Sequence, residues 1–77
     1  MISLDKLQEG KVGYVVRLRG GTHFVSRLAA LGFTPGAAVE MVRNYGRGPV
    51  IVMVRGAQIA LGRGQARHVL VRQGRGV

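Results

Sequence analysis

Apolar residues come in short runs separated by glycines, and the spacing within each run assigns its element. Val12, Tyr14, Val16 and Leu18 alternate with Gly13, Val15, Arg17 and Arg19, which predicts a first strand ended by Gly20-Gly21. Upstream, Ser3 is placed to cap a single turn that carries Leu4 and Leu7 and stops at Gly10. Phe24, Val25, Leu28 and Leu31 then fall at helical spacing with Ser26 and Arg27 facing out. Thr22 is the expected N-cap of that helix, and Gly32 stands where a left-handed residue ends one. Thr34-Pro35-Gly36-Ala37 fits a type II turn, because Pro presets its first central residue and Gly supplies the positive φ of the second.

A second strand is expected over about residues 38–43, followed by a loop over 44–49 and a third strand over 50–54. Arg55-Gly56 turns tightly into a fourth strand over 57–61, with Ile59 and Leu61 on one face. Gly62 to Ala66 suggests a turn or a single 3₁₀ turn, and His68 to Arg72 a last strand with Val69 and Val71 inward. The domain is then residues 1–72, and 73–77 form a flexible C-terminal tail. The fold class that results is mainly β: a small, strongly curved barrel of about five strands with one α-helix inserted after the first. Closure into a barrel also removes the exposed edges that so short a sheet would present.

Length changes the picture by limiting it. Seventy-seven residues make one domain that buries roughly 60% of its extended surface. That supports one core and no deep substrate cleft. No cysteine is present, so disulfide staples, thiolate metal sites and thiol catalysis are all excluded. The longest uncharged stretch, residues 28–39, is broken by Gly32, Pro35 and Gly36 and is too short to cross a bilayer. The N-terminus reaches charge at Asp5 and Lys6 before a signal-peptide core forms, so a soluble, unprocessed cytoplasmic chain is expected.

Charge is the strongest compositional bias: twelve Lys plus Arg against three acids give +9, and ten of the twelve are Arg. Such a balance suits nucleic acid, anionic lipid or an acidic protein face, yet the cations are dispersed rather than clustered into a track. Enzyme chemistry lacks its parts, because the available Ser, Thr, His, Asp and Glu show no spacing that joins a nucleophile to a base. No cofactor is expected either, with a weak transition-metal contact the one alternative left open. His23 opens the helix and His68 starts the last strand, so nothing in the chain brings them together. Gly20-Gly21-Thr22-His23 fits a plain turn and cap better than an anion site. Four aromatics and no Trp leave too few rings for a proline-reading groove or base-stacking surface.

The segment Val50-Ile51-Val52-Met53-Val54 carries more information, because a strand with one wet face alternates and this one is apolar on both. If Val50, Val52 and Val54 point in, Ile51 and Met53 point out, and Val42 and Leu70 are apolar on the outward side of their own strands. Either a helix or terminus covers them, or they form a docking patch for another protein or a second copy. Arg27, Arg43 and Arg55 are the cations expected to steer and orient such a partner.

A series of blocks completes the pattern. These are Leu4-x-x-Leu7-x-x-Gly10, Val16-x-Leu18-x-Gly20-Gly21 and Arg27-Leu28-x-x-Leu31-Gly32-Phe33-x-Pro35-Gly36-x-x-Val39, followed by Gly48-Pro49-Val50, Val54-x-Gly56-x-x-Ile59-Ala60-Leu61 and Ala66-x-x-Val69-x-Val71. Together they resemble the FeoA family, the small cytosolic component of bacterial and archaeal ferrous iron uptake, over about Ser3 to Arg72. The resemblance implies an SH3-like barrel and a partner, the FeoB-type ferrous iron transporter, a membrane GTPase permease engaged on its cytosolic side. It also implies a free-standing form, since no DNA-reading helix-turn-helix accompanies the domain. Family members often carry an acid near Pro49 and near Ala66, where this chain has Gly48 and Gln65. The alternative from another class is a basic SH3-like nucleic-acid-binding protein, and self-association through the same apolar patch is a third possibility.

Overall fold

The computed structural model describes residues 1–74. The elements run β1 (Ile2–Ser3), a 3₁₀ turn (Leu4–Lys6), β2 (Val12–Leu18), α1 (Thr22–Ala30), β3 (Ala38–Arg43), β4 (Val50–Val54), β5 (Ala57–Leu61), α2 (Arg63–Ala66) and β6 (Val69–Gln73). All pairings are antiparallel, in the order β1-β6-β2-β3-β4-β5. There are six strands rather than five: β1 pairs Ile2 with Val71 and Ser3 with Leu70, and two residues are too few to show a period. The last strand also continues one residue past Arg72. Gln73 pairs with Gly13, and the Gly74 N–H donates to Val12 O at 2.7 Å. Of the expected tail, residues 75–77 lie outside the described residues.

One core fills the sheet's concave side. Leu4 and Leu7 join Val15, Val39, Met41, Val50, Val52, Val54, Leu61, Val69 and Val71, and Leu28 and Phe33 enter from the helix segment. β4 alternates as expected, with its three valines buried and Ile51 and Met53 half-buried on the outside.

β2 buries the opposite face from the one its larger side chains suggest. Gly13 and Val15 point in, while Tyr14 and Val16 are 41% and 38% exposed. Packing decides this. A Cβ on Gly13 would lie 2.8 Å from Val71 Cγ2, so β2 and β6 approach closely only because glycine is there. The register slips between Val15 and Arg17, making Val16 the extra residue of a bulge that returns Leu18 to the core side. Val42 is a second such residue, between Met41 and Arg43 on β3.

α1 begins one residue earlier than its capping pattern suggests, with Gly21 at the N-cap and Thr22 already helical. It ends in a Schellman motif: the Phe33 N–H donates to Leu28 O at 3.1 Å, the Gly32 N–H donates to Ala29 O at 3.0 Å, and Gly32 has φ +109°. That turn puts Phe33 beside Leu28 in the core and leaves Leu31 46% exposed, outside the apolar face assigned to it. The type II turn forms as expected, with the Ala37 N–H donating to Thr34 O at 2.9 Å and Gly36 at φ +88°. Ser3 stands at the N-cap of the 3₁₀ turn without a capping bond; its Oγ donates to the Asp5 carboxylate instead.

Candidate partner-docking surface

Residues directly opposite each other in a register share a face, so the outer surface of the sheet can be laid out row by row. Val12, Glu40, Met53 and Gln58 form one row across β2, β3, β4 and β5. Arg43, Ile51 and Ala60 form the next, with the bulged Val42 beside it, and Arg72, Tyr14 and Ala38 form a third toward β6. Val12, Val42, Ile51 and Met53 are half-buried there, while Ala38, Ala60 and Tyr14 are exposed. The buried leucines of α1 and of the N-terminal turn are not what covers this face. Leu28, Leu4 and Leu7 are spent on the interior cluster.

Four of the seven residues expected at a docking site therefore come together: Val42, Arg43, Ile51 and Met53. Arg43 is exposed and donates through Nη1 to Val42 O at 3.0 Å, which folds the guanidinium along the edge of the bulge. The other three do not join them. Leu70 is only 8% exposed and faces Arg17 and Ser3, on the far side of β2 and β3. Arg27 is exposed on α1. Arg55 is held by the loop after the helix, donating through Nη2 to Thr34 Oγ1 at 2.8 Å and through Nε to Gly32 O at 3.4 Å. In its place the face contains Val12 and Tyr14, which were hidden in the sequence because the inward positions of β2 are the small ones.

A second cluster went unnoticed because its members are far apart in the chain. Asp5, Lys6, Gln8, Glu9, Asn44, Gly46, Arg63 and Arg67 line an open cleft of about 670 Å³. Asn44 is its hub, donating through Nδ2 to Asp5 O and Leu7 O, both at 2.9 Å, and accepting at Oδ1 from Gly46 N–H and from Arg63 Nη2 at 2.7 Å. Arg63 also donates to Gly48 O and Asp5 O, both at 3.1 Å, and the Asn44 N–H donates to Glu9 Oε2 at 2.8 Å. Arg67 Nε stands 3.8 Å from Asp5 Oδ2. These bonds fasten the 3₁₀ turn, the β3–β4 loop and α2 to one another. Asn44's side chain is fully engaged in them, so the cleft is a structural tie rather than a reactive site.

No group of three metal-ligating side chains is gathered among the described residues. His68 meets the edge of Phe24, with ring centroids 5.2 Å apart. No helix of the described residues is long and apolar enough to cross a membrane.

A family model for the FeoA domain matches residues 2–73. The chain belongs to the FeoA family. A protein of Methanocaldococcus jannaschii whose name assigns it to Fe(2+) transport, as protein A, is 34% identical over 71 residues, 92% of this chain and 85% of its own length. The crystal structure of an iron uptake regulatory protein, also a FeoA, superposes with a TM-score of 0.88 at 35% identity, covering 94% of this chain and 96% of that one. Stenotrophomonas maltophilia FeoA, solved with zinc, superposes at 0.82 and 27% identity over 94% and 91% of the two chains. It is described as an SH3 domain protein, and a role as a bacterial ferrous iron transport activating factor is raised for it. The barrel of this FeoA chain is thus the SH3-like one that the strand pattern and the motifs anticipated, with an added N-terminal strand.

Proposed function

We propose that this FeoA chain is a non-enzymatic, cofactor-free cytoplasmic accessory protein of ferrous iron import. It acts by docking on the cytosolic part of a FeoB-type GTPase permease. The docking surface is the outer face of β3 and β4, and the observation that carries it is the half-buried set Val42, Ile51 and Met53 on a side of the sheet where a solvated strand would be polar. Apolar Val42, Ile51 and Met53 beside the charges of Arg43 and Glu40 have the make-up of a protein interface: desolvated contact area with charge beside it for steering and register.

Docking alters transport only if the chain binds one state of the permease more tightly than another, so its affinity differs between the nucleotide states of the GTPase. Iron uptake by cells lacking the chain tests this. Restoring the wild type changes the uptake rate, whereas restoring Ile51→Asp with Met53→Asp at equal protein level leaves uptake as in the deletion. Full restoration by the double variant removes this face as the docking surface.

A further inference from the structure

Closure does not remove the edges as the sequence suggested: no pairing joins β1 to β5, so the sheet has two edges, and they are not alike. β1 is two residues long. β5 runs five residues, Ala57–Leu61, with an unbroken register to β4, no charged residue and no proline. Natural sheets usually protect an edge of that length with a charge, a proline, a bulge or a covering element. The bulges of this sheet lie in other pairings, at Val16 and Val42. α2, which follows β5, packs on the N-terminal 3₁₀ turn instead of on the edge.

The hairpin geometry says which groups are free. Arg55 and Gly56 both have positive φ, at 51° and 78°, and Val54 pairs with Ala57, as in a two-residue turn. In that turn Val54 and Ala57 exchange both backbone bonds, and the alternation carries the same role to Ile59 and Leu61. The N–H and C=O of Gln58 and Ala60 therefore point away from β4, and no backbone partner meets them among the described residues. Both residues are exposed, and their side chains extend the outer face rows of Met53 and Ile51.

We infer that β5 is a site for strand addition, and that its occupant is an extended segment with an apolar centre and acidic ends. Pairing with Gln58 and Ala60 sets an apolar residue of that segment against Ile59, which is half-buried and packed on the core. The acidic ends follow from Arg55 and Arg63, which flank the strand. Arg55 donates to Gly32 O and Thr34 Oγ1, and Arg63 to Gly48 O, Asp5 O and Asn44 Oδ1. All five acceptors are neutral, so both positive charges lack a counter-charge in these bonds. A second copy of this chain is the poorer occupant, since antiparallel β5 pairing centred on Ile59 would bring Arg55 opposite Arg63 of the other copy. The site adjoins the outer face of β4, so for the identity of its natural occupant the inference rests on the proposed docking.

Amide hydrogen exchange with two end-blocked peptides tests it. One is Glu-Glu-Thr-Val-Thr-Glu-Glu and the control is Lys-Lys-Thr-Val-Thr-Lys-Lys. The acidic peptide is expected to slow exchange at Gln58 and Ala60 at least about tenfold, the basic one to leave it unchanged. Gln58→Pro and Ala60→Pro, which remove an outward N–H and no ladder bond, should keep the fold by circular dichroism and abolish the effect. No slowing at saturating acidic peptide, or equal binding by the folded proline variants, overturns the inference. So does a mass that doubles with concentration in the wild type but not in Ala60→Pro. If the transporter's cytosolic part binds while both amides exchange as in the free chain, strand addition fails and docking on β4 stands. If it does not bind while the acidic peptide protects them, the reverse holds.

Discussion

Asn44 and Arg63 show how much of this domain hangs on single polar side chains. Asn44→Ala leaves Leu7 O without its donor, Asp5 O with only the bond from Arg63 Nη1, and Arg63 Nη2 without its acceptor. The expected loss is about 2 kcal/mol in urea unfolding, within the range for stranding partly buried partners. Asn44→Asp should be no better, because a carboxylate would then face those two carbonyl oxygens. Gly13 makes the opposite kind of demand, on space. Gly13→Ala drives a methyl group to 2.8 Å from Val71 and is expected to cost about 2 kcal/mol, as overpacking does. A variant within about 0.5 kcal/mol of wild type would mean that β6 yields there more easily than its packing suggests.

At the scale of elements, local chemistry was legible and long-range accommodation was not. The type II turn at Pro35-Gly36, the two-residue turn at Arg55-Gly56 and the in–out alternation of β4 are each written in neighbouring residues, and all three formed. The face of β2 could not be read the same way. Which of Val15 and Val16 points inward depends on how close β6 comes, and Gly13, not the size of the flanking side chains, sets that distance. Leu31 was assigned to the core by periodicity, but the chain left the helix in a Schellman turn and gave the place to Phe33. Gly32 holds that turn at φ +109°, and a Cβ added there would lie 3.0 Å from Arg55 Cδ. Gly32→Ala is therefore expected to lower the unfolding free energy by more than the about 1 kcal/mol that left-handed strain alone costs, as read by urea unfolding, and Arg55→Ala in the same background should recover part of the loss.

For the molecule as a whole, charge is the feature without internal compensation. Twelve cations face three acids, and two of those acids, Asp5 and Glu9, are engaged within the polar cleft. Self-repulsion should then destabilise the folded state at low ionic strength, so the urea midpoint rises as NaCl goes from about 20 mM to about 300 mM. A midpoint that falls over that range would mean favourable ion pairs outweigh the net charge. The same excess disfavours association of like copies and favours an acidic partner, while the β3–β4 outer face itself carries one charge of each sign, Arg43 and Glu40.

The most direct measurement is calorimetric titration of the folded chain against the cytosolic part of the FeoB-type transporter from the same genome. Wild type and Arg27→Ala should bind with affinities within about twofold of each other, because Arg27 is an exposed residue of α1 and not part of the β3–β4 rows. Ile51→Asp with Met53→Asp, folded by circular dichroism, should weaken binding at least about tenfold, as loss of an interface centre does. Wild-type affinity in that double variant would contradict the assignment of the β3–β4 outer face as the surface through which this protein works.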